Sequence, residues 1–341
     1  VSHTPQTLSH DLSVVLCTFN GEAFLRPQLE SILDQSLLPG EVVIADDASS
    51  DHTLEILQEF AERAEAMGIT WRIIRRESPL GPAANFWATL REAKGEFVAL
   101  ADQDDVWHTE KLGVLRSRLV DDPRLLLVHS DATLIDRSGR ATGSLLDSLR
   151  ATREEKASLV GGEGLRALLR RNLVTGATVM IRRNLLDRAG ELPEGWVHDE
   201  WLALVAAAGD GLALEPRELI DYRQHGQNAI GATKTTLSDA IGRLGDDRAA
   251  FHARQRSRRE GIASLVEGSA GWMSAEHRRA LRAKISHQMF RIGLPNGRWR
   301  RVVPVFVAWA RGDYSRYSRG LFDALRDLSL PPIGARPTHE A

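Results

Sequence analysis

Between Phe97 and Trp107 the chain reads FVALADQDDVW. The apolar run Phe97–Ala101 has the length and composition of a strand buried on both faces. It stops at three carboxylates, Asp102, Asp104 and Asp105, followed by an indole. Acids this close repel one another unless a cation, a set of donors or open water takes up the charge. In an open α/β sheet, ligands bind beyond the carboxyl ends of the strands, which is where these acids fall. The Asp-x-Asp spacing puts Asp102 and Asp104 on one side of an extended backbone, and such oxygen ligands suit Mg or Mn. The competing reading is a helix start, with Asp105 or Thr109 capping a helix that begins near Glu110.

The flanking sequence supplies the rest of such a sheet. LSVVLCTFNG, Leu12 to Gly21, reads as a strand and a small polar turn, followed by a helical stripe of Phe24, Leu25, Leu29, Ile32 and Leu33. EVVIADDASSDHT repeats the theme: a strand over Val42–Ala45, Asp46 and Asp47 at its end, then a helix over Thr53–Met67 with Ser50 or Asp51 as N-cap. A third strand is expected over Trp71–Arg75, a Gly- and Pro-punctuated loop after it, and a helix over Ala83–Ala93. Strand, helix, strand, helix at this spacing gives an α/β, Rossmann-like fold: a mainly parallel central sheet flanked by helices. Thr18, Asp46, Asp47, Asp102 and Asp104 then converge on one rim, although Asp46 and Asp47 alone are equally explained as a cap and turn. No G-x-G-x-x-G or G-x-x-x-x-G-K-[ST] follows the first strand, which argues against a dinucleotide or P-loop site. A metal at the carboxylates must then hold any phosphates.

Further strands are expected over Leu125–Asp136 and Thr178–Ile181, with a short helix over Arg166–Arg171. Thr142–Gly162, with weak periodicity and several charges, reads as a mobile loop or an insertion. Gly176 before the second of these strands permits close backbone approach, or marks a β-bulge. In GWVHDEWLALVAAAGD, Trp196, His198, Asp199 and Trp201 stand at the entrance of a helix whose remainder is almost wholly apolar. Asp199 is an electrostatic cap in one reading; in the other, the indoles and imidazole around it make a sugar or nucleoside site. LIDYRQHGQN then places Tyr222, Arg223, His225 and Asn228 in a polar cluster where positive groups could meet a diphosphate.

With 43% hydrophobic and 26% charged residues, the 341-residue chain reads as an ordinary globular protein. No apolar run approaches the roughly 18 residues of a membrane span, and residues 1–11 read as a flexible tail without signal-peptide features. The single cysteine, Cys17, excludes an intramolecular disulfide and reads as a small buried hydrophobe. A cytoplasmic location is expected, with peripheral attachment at the inner face of the cytoplasmic membrane as its extension. Charge is unevenly spread: residues 250–341 hold 17 Lys and Arg against 7 Asp and Glu. That segment, roughly Leu237 to Pro331, reads as helices with basic faces interleaved with Phe290, Trp299, Phe306 and Trp309. These are either helix-packing surfaces or a contact for an anionic membrane; no nucleic-acid motif accompanies them. The expected divisions are the tail 1–11, a catalytic domain 12–235 and a helical basic region 236–341.

In motif order, LSVVLCTFNG, VVIADDASSD, ADQDDVW, HDEW and YRQHGQN resemble the inverting glycosyltransferases of family 2, which use the GT-A fold, over about Leu12 to Gly231. The last three motifs are most similar to bacterial rhamnosyltransferases of surface polysaccharide synthesis. The resemblance implies that Thr18 and Asp47 hold the nucleotide base, with Asp46 adjacent. It implies that Asp102 approaches the ribose or metal, that Asp104 ligates Mn or Mg, and that Asp199 is the catalytic base. Arg223 and His225 would steady the diphosphate or complete the metal shell, and Asn20, Gln103, Trp107 and Trp201 would add donor contacts. His198 departs from the family, many of whose members have Glu before the base. The implied donor is a nucleotide sugar, dTDP-rhamnose first, and the implied acceptor a saccharide or lipid-linked saccharide. A metal-dependent nucleotidyltransferase would usually carry a Gly and basic phosphate loop, which TFNGEAF lacks; an inactive sugar-binding module would need neither Asp104 nor Asp199.

Overall fold

The computed structural model describes residues 6–225 and 248–329. Asn228, the expected boundary at 235/236 and both ends of the Leu237–Pro331 segment lie outside these residues. The chain divides into two compact units, one comprising Val1–Gly164, Leu173–Leu192 and Val197–Thr233, the other Leu165–Asn172, Pro193–Trp196 and Lys234–Ala341.

The first unit is built on a nine-stranded sheet. Strands β1 (Thr7–Thr18), β2 (Leu37–Asp46), β3 (Thr70–Arg75) and β4 (Phe97–Ala101) lie in the order β3-β2-β1-β4, all parallel. They are connected through helices α1 (Leu25–Leu33), α2 (Thr53–Ala66) and α3 (Pro82–Leu90). Burial on both faces explains their composition: Leu12, Val14, Val15 and Leu16 of β1 and all five residues of β4 are sealed from solvent. The strand expected at Phe97–Ala101 is found with those bounds. β1 starts earlier than expected, because Thr7–Ser9 pair with Leu37–Pro39 of β2; the flexible tail therefore does not extend to residue 11.

Beyond β4 the sheet is mixed. After β5 (Val106–Trp107) and α4 (Lys111–Asp121), strand β6 (Leu127–Ile135) runs parallel to β9 (Leu212–Arg223). On its other edge β6 meets β8 (Val179–Arg182) near its start and β7 (Ala141–Ser144) near its end, both antiparallel. β8 bridges to β4, and β5 pairs with β9, so the segments after β4 and after β9 lie close together. The Thr142–Gly162 stretch is ordered, unlike the expected mobile loop. It holds part of β7, then α5 (Leu145–Ser148) and α6 (Arg153–Val160), the latter opened by a capping box between Thr152 and Glu155. Buried Leu145, Leu146 and Leu159 fix it, too few and too irregularly spaced to show as a period. α7 (Gly164–Leu168) and α8 (Leu185–Ala189) are short; α9 (His198–Ala208) is apolar on nearly every side and buried, as its sequence requires.

The second unit contains α10 (Arg248–Gly268), α11 (Ala275–Ile292), α12 (Arg298–Ala310), α13 (Asp313–Tyr317) and α14 (Leu321–Ser329). Its small core gathers Leu294, Val305, Ala308, Tyr314 and Ala324, with Phe290 packed against it. Beside this core, buried Arg291 grips Asp327 with two bonds of 2.7 and 2.9 Å, and Tyr314 donates to the same carboxylate at 2.7 Å.

Candidate active site

The ends of β1, β2 and β4 form the rim. Thr18 Oγ1 donates to Asp46 Oδ2 at 2.9 Å, and Ser49 donates to Asp46 through its amide at 2.9 Å and its hydroxyl at 2.5 Å. Asp47 accepts the amides of Leu80 and Gly81, each at 2.8 Å, at the N-terminus of α3. Both carboxylates therefore hold the rim's own loops, since buried amides and hydroxyls need acceptors. Asn20 does similar work, with Oδ1 accepting from Ser50 N at 2.9 Å. Gln103 pairs with both backbone groups of Phe19, accepting from its amide at 2.8 Å and donating to its carbonyl at 3.0 Å. This approach requires Gly21, where a Cβ would stand 2.3 Å from Gln103 Oε1. Two apolar residues near these loops, Phe19 and Leu80, remain 48% exposed.

The acids after β4 occupy three environments. None caps α4, whose N-cap Glu110 makes no side-chain bond, so the helix-start reading fails. Asp105 is fully buried and accepts the Arg223 amide at 2.9 Å; burial first, then Asp104 and Asp102, hold its pKa well above the usual carboxylate range. Asp104 Oδ2 lies 2.8 Å from His225 Nε2, whose ring stacks on Phe24. Burial raises its pKa and the His225 bond opposes the rise. Asp102 is pushed up to about 7, by burial first and then by Asp104 and Asp199. The same four acids add to the burial that raises the Tyr222 phenol. Asp102, Asp104 and Asp199 thus share one electrostatic neighbourhood.

Asp199 is held on both oxygens. Gly176 N donates to Oδ2 at 2.8 Å and Glu200 N to Oδ1 at 2.7 Å. Burial raises its pKa to about 6, against the pull of these amides. Gly176 opens a 3₁₀ turn (Gly176–Thr178), where a Cβ would lie 3.1 Å from His198 Nε2 and 3.5 Å from Asp199 Oδ2. It is not a β-bulge, and it admits Asp199 and His198 to the turn. His198 stacks on Phe86 at 4.3 Å; it is 6% exposed, neither ring nitrogen has a hydrogen-bond partner among the described residues, and burial depresses its pKa to about 3.

Other expected site residues sit behind this surface. Trp107 is in the core with Lys111 Nζ 3.6 Å from its ring centre, and Lys111 donates to Ala177 O at 2.6 Å. Trp201 is buried and donates to Ala189 O at 3.0 Å. Both indoles are structural, because aromatics bordering an apolar helix or strand pack inward more readily than outward. Arg223 donates from Nε to Asp104 O at 2.9 Å and stands over Phe24 at 4.9 Å, so it supports the acidic turn. Sequence reasoning gave Phe19, Phe24 and Phe86 no part in the site and did not foresee that the His198 ring stacks on Phe86. TFNG and HDEW flag two of these positions by adjacency to rim residues; nothing local flags the other two.

The residues fit a divalent cation as a partial shell. Asp104 and His225 meet at 2.8 Å and Asp104 adds to the burial that raises the Asp102 pKa, but the expected trio Asp102, Asp104 and His225 does not form a three-ligand group among the described residues. Mg in particular is usually held by one or two protein carboxylates, with phosphates and water completing its coordination. A cage of three or more such side chains is absent among the described residues.

This mixed sheet with an acidic turn after its central strand is the GT-A fold. Its likeness extends to S. aureus TarS residues 1–349 in complex with UDP-GlcNAc, at TM-score 0.55 and 14% identity over 94% of this chain and 90% of that one. Residues 13–175 match the family model described as glycosyl transferase family 2. An uncharacterized Mycobacterium tuberculosis protein is 30% identical over 63% of this chain and 59% of its own length. The dTDP-rhamnosyl transferase RfbG of Shigella flexneri is 24% identical over 64% of this chain and 74% of its own. The chain thus spans about 59% of the length of its mycobacterial relative. Among the described residues, no helix is long and apolar enough to cross a membrane.

Proposed function

We propose that the chain is an inverting hexosyltransferase that moves a sugar from a nucleotide donor to a saccharide or lipid-linked saccharide. The reading is supported by the environment of Asp102, whose pKa is raised by burial first and then by Asp104 and Asp199, as expected if the candidate base and the candidate cation ligands serve one site. Asp104, with His225 beside it, would hold Mn or Mg, which when bound supplies neutralising charge for a departing diphosphate. Asp199, ionised at neutral pH yet basic because it is buried, takes the proton of the acceptor hydroxyl on a free lone pair. The acceptor oxygen bonds to the anomeric carbon as the carbon–phosphate oxygen bond breaks on the opposite face, inverting the configuration. The amides of Gly176 and Glu200 keep the base oriented for this attack.

Phe19 offers an exposed ring face for the nucleotide base, beside loops that Thr18, Asp46 and Asp47 keep in place. The similarity to RfbG favours dTDP-rhamnose as donor. A lipid-linked acceptor calls for peripheral attachment to the inner face of the cytoplasmic membrane.

The test is a panel of nucleotide sugars screened by thermal shift with and without Mn, since a ligand specific to the folded state raises the melting temperature. dTDP-rhamnose with Mn should give the largest rise, and Asp104→Ala should remove it. Equal responses to every donor would defeat the rhamnose assignment; no response to any would defeat the transferase reading.

A further inference from the structure

We infer that one face of α12, extended by α14, is a docking surface for an anionic phospholipid bilayer. Of fourteen large hydrophobic residues exposed in the described chain, nine fall between Trp299 and Leu325. Six lie on α12: Trp299, Val302, Val303, Phe306, Val307 and Trp309, with Trp299 90%, Val303 70% and Phe306 61% exposed. At the helical repeat of about 100° per residue they cover an arc of roughly 160°. The opposite side, with Arg301, Val305 and Ala308, is buried and is fastened by Arg301, which donates to Asp327 O at 2.9 Å and Asn296 O at 2.7 Å. The apolar stripe is therefore the outward side of an anchored helix. α14 adds exposed Leu321, Phe322 and Leu325.

The charges select the partner. Arg298, Arg300 and Arg311 are exposed and fall at the margins of the stripe, where cationic heads reach phosphates while apolar residues enter the acyl boundary. Arg316 and Arg319 are also exposed. Of the acids between Arg298 and Ser329, Asp313 is half-buried, whereas Asp323 and Asp327 are buried and paired with arginines. A second copy of this face would bring like charges together; an anionic lipid surface neutralises them. The adjoining basic helix α11 contributes less than its sequence implies, because Arg291 is buried against Asp327 and Lys284 donates to Leu169 O at 2.8 Å. The purpose of this surface rests on the proposed lipid-linked acceptor; its affinity for a bilayer does not.

The experiment is co-sedimentation with vesicles of phosphatidylcholine alone or with one third phosphatidylglycerol, using the full chain. Binding is expected to the anionic vesicles only and to weaken between about 0.1 and 0.5 M salt. Arg298→Glu/Arg300→Glu/Arg311→Glu should reduce partitioning by about 100-fold or more, as each arginine near such a surface contributes roughly a factor of five. Trp299→Glu/Phe306→Glu should also abolish it. All these positions are exposed, and unchanged circular dichroism and unchanged donor-induced thermal shift would establish intact folding. Equal binding to neutral vesicles, no binding, or a concentration-dependent dimer dispersed by Trp299→Glu/Phe306→Glu would overturn the inference. Vesicle binding without any donor response would uphold the surface while sinking the transferase reading.

Discussion

The Gly176 amide donates to Asp199 Oδ2 at 2.8 Å, joining the turn before β8 to the first turn of α9. A residue without a side chain therefore sets the orientation of the candidate base, and the contact fails if a bulkier residue occupies position 176.

Gly176→Val should crowd His198 and Asp199 and lower kcat by about 10- to 100-fold, on the scale at which small misplacements cost activity. Donor-induced thermal shift should be largely retained. Full activity in a correctly folded variant would show that the Gly176 contact does not position the base.

Asp199 must be ionised to accept a proton. With its pKa raised to about 6, kcat/KM should climb with rising pH through that value and level off above it. Asp199→Asn should lower kcat by about 10²- to 10⁴-fold while donor binding persists. The same shift has an opposite consequence for stability: a carboxyl whose folded pKa is raised contributes below its unfolded pKa, near 3.8, and loses that contribution as pH rises through about 6. The Asp199→Asn variant should therefore gain stability relative to the parent between these values, as read by urea denaturation at pH 4 and pH 7.

His225→Ala should weaken Mn binding by about 10- to 100-fold if the imidazole holds or orients Asp104 in the cation site. Calorimetric titration of Mn in the presence of a nucleoside diphosphate reads this without turnover. Equal affinity in both proteins would remove His225 from the site.

Among the described residues neither His198 nitrogen has a partner, so His198→Phe should leave stability nearly unchanged while preserving a ring against Phe86. A hydrogen bond from this imidazole to donor or acceptor would appear as a roughly 3- to 10-fold fall in kcat/KM on its removal. Steady-state kinetics with unaltered kcat/KM would make the residue purely structural.

Asp327→Ala leaves buried Arg291 without its bidentate partner and should destabilise the helical unit by about 3–5 kcal/mol. Denaturation followed by circular dichroism measures the loss.

The strands and the acids at their ends were legible because parallel strands buried on both faces must be continuously apolar, so the first carboxylate marks where each strand stops. Burial and then the charges of Asp104 and Asp199 raise the Asp102 pKa, so Asp102 feels both of these acids. The roles of the indoles were not legible: Trp107 and Trp201 lie beside site acids in sequence but point into the core. Nor could sequence reveal that Asp47 holds the amides of Leu80 and Gly81, thirty-odd residues away.

The sequence by itself determined the parallel half of the sheet, the rim on which its acids stand and the amphipathic pattern of α12, because each follows from local periodicity. Tertiary structure decided which polar groups face one another. It spent Asp46, Asp47 and Arg223 on loop backbone, set Asp199 against Gly176, and left the Trp299 stripe uncovered. Those outcomes depend on contacts between segments far apart in the chain, where burial and hydrogen-bond satisfaction, rather than residue type, assign each side chain its task.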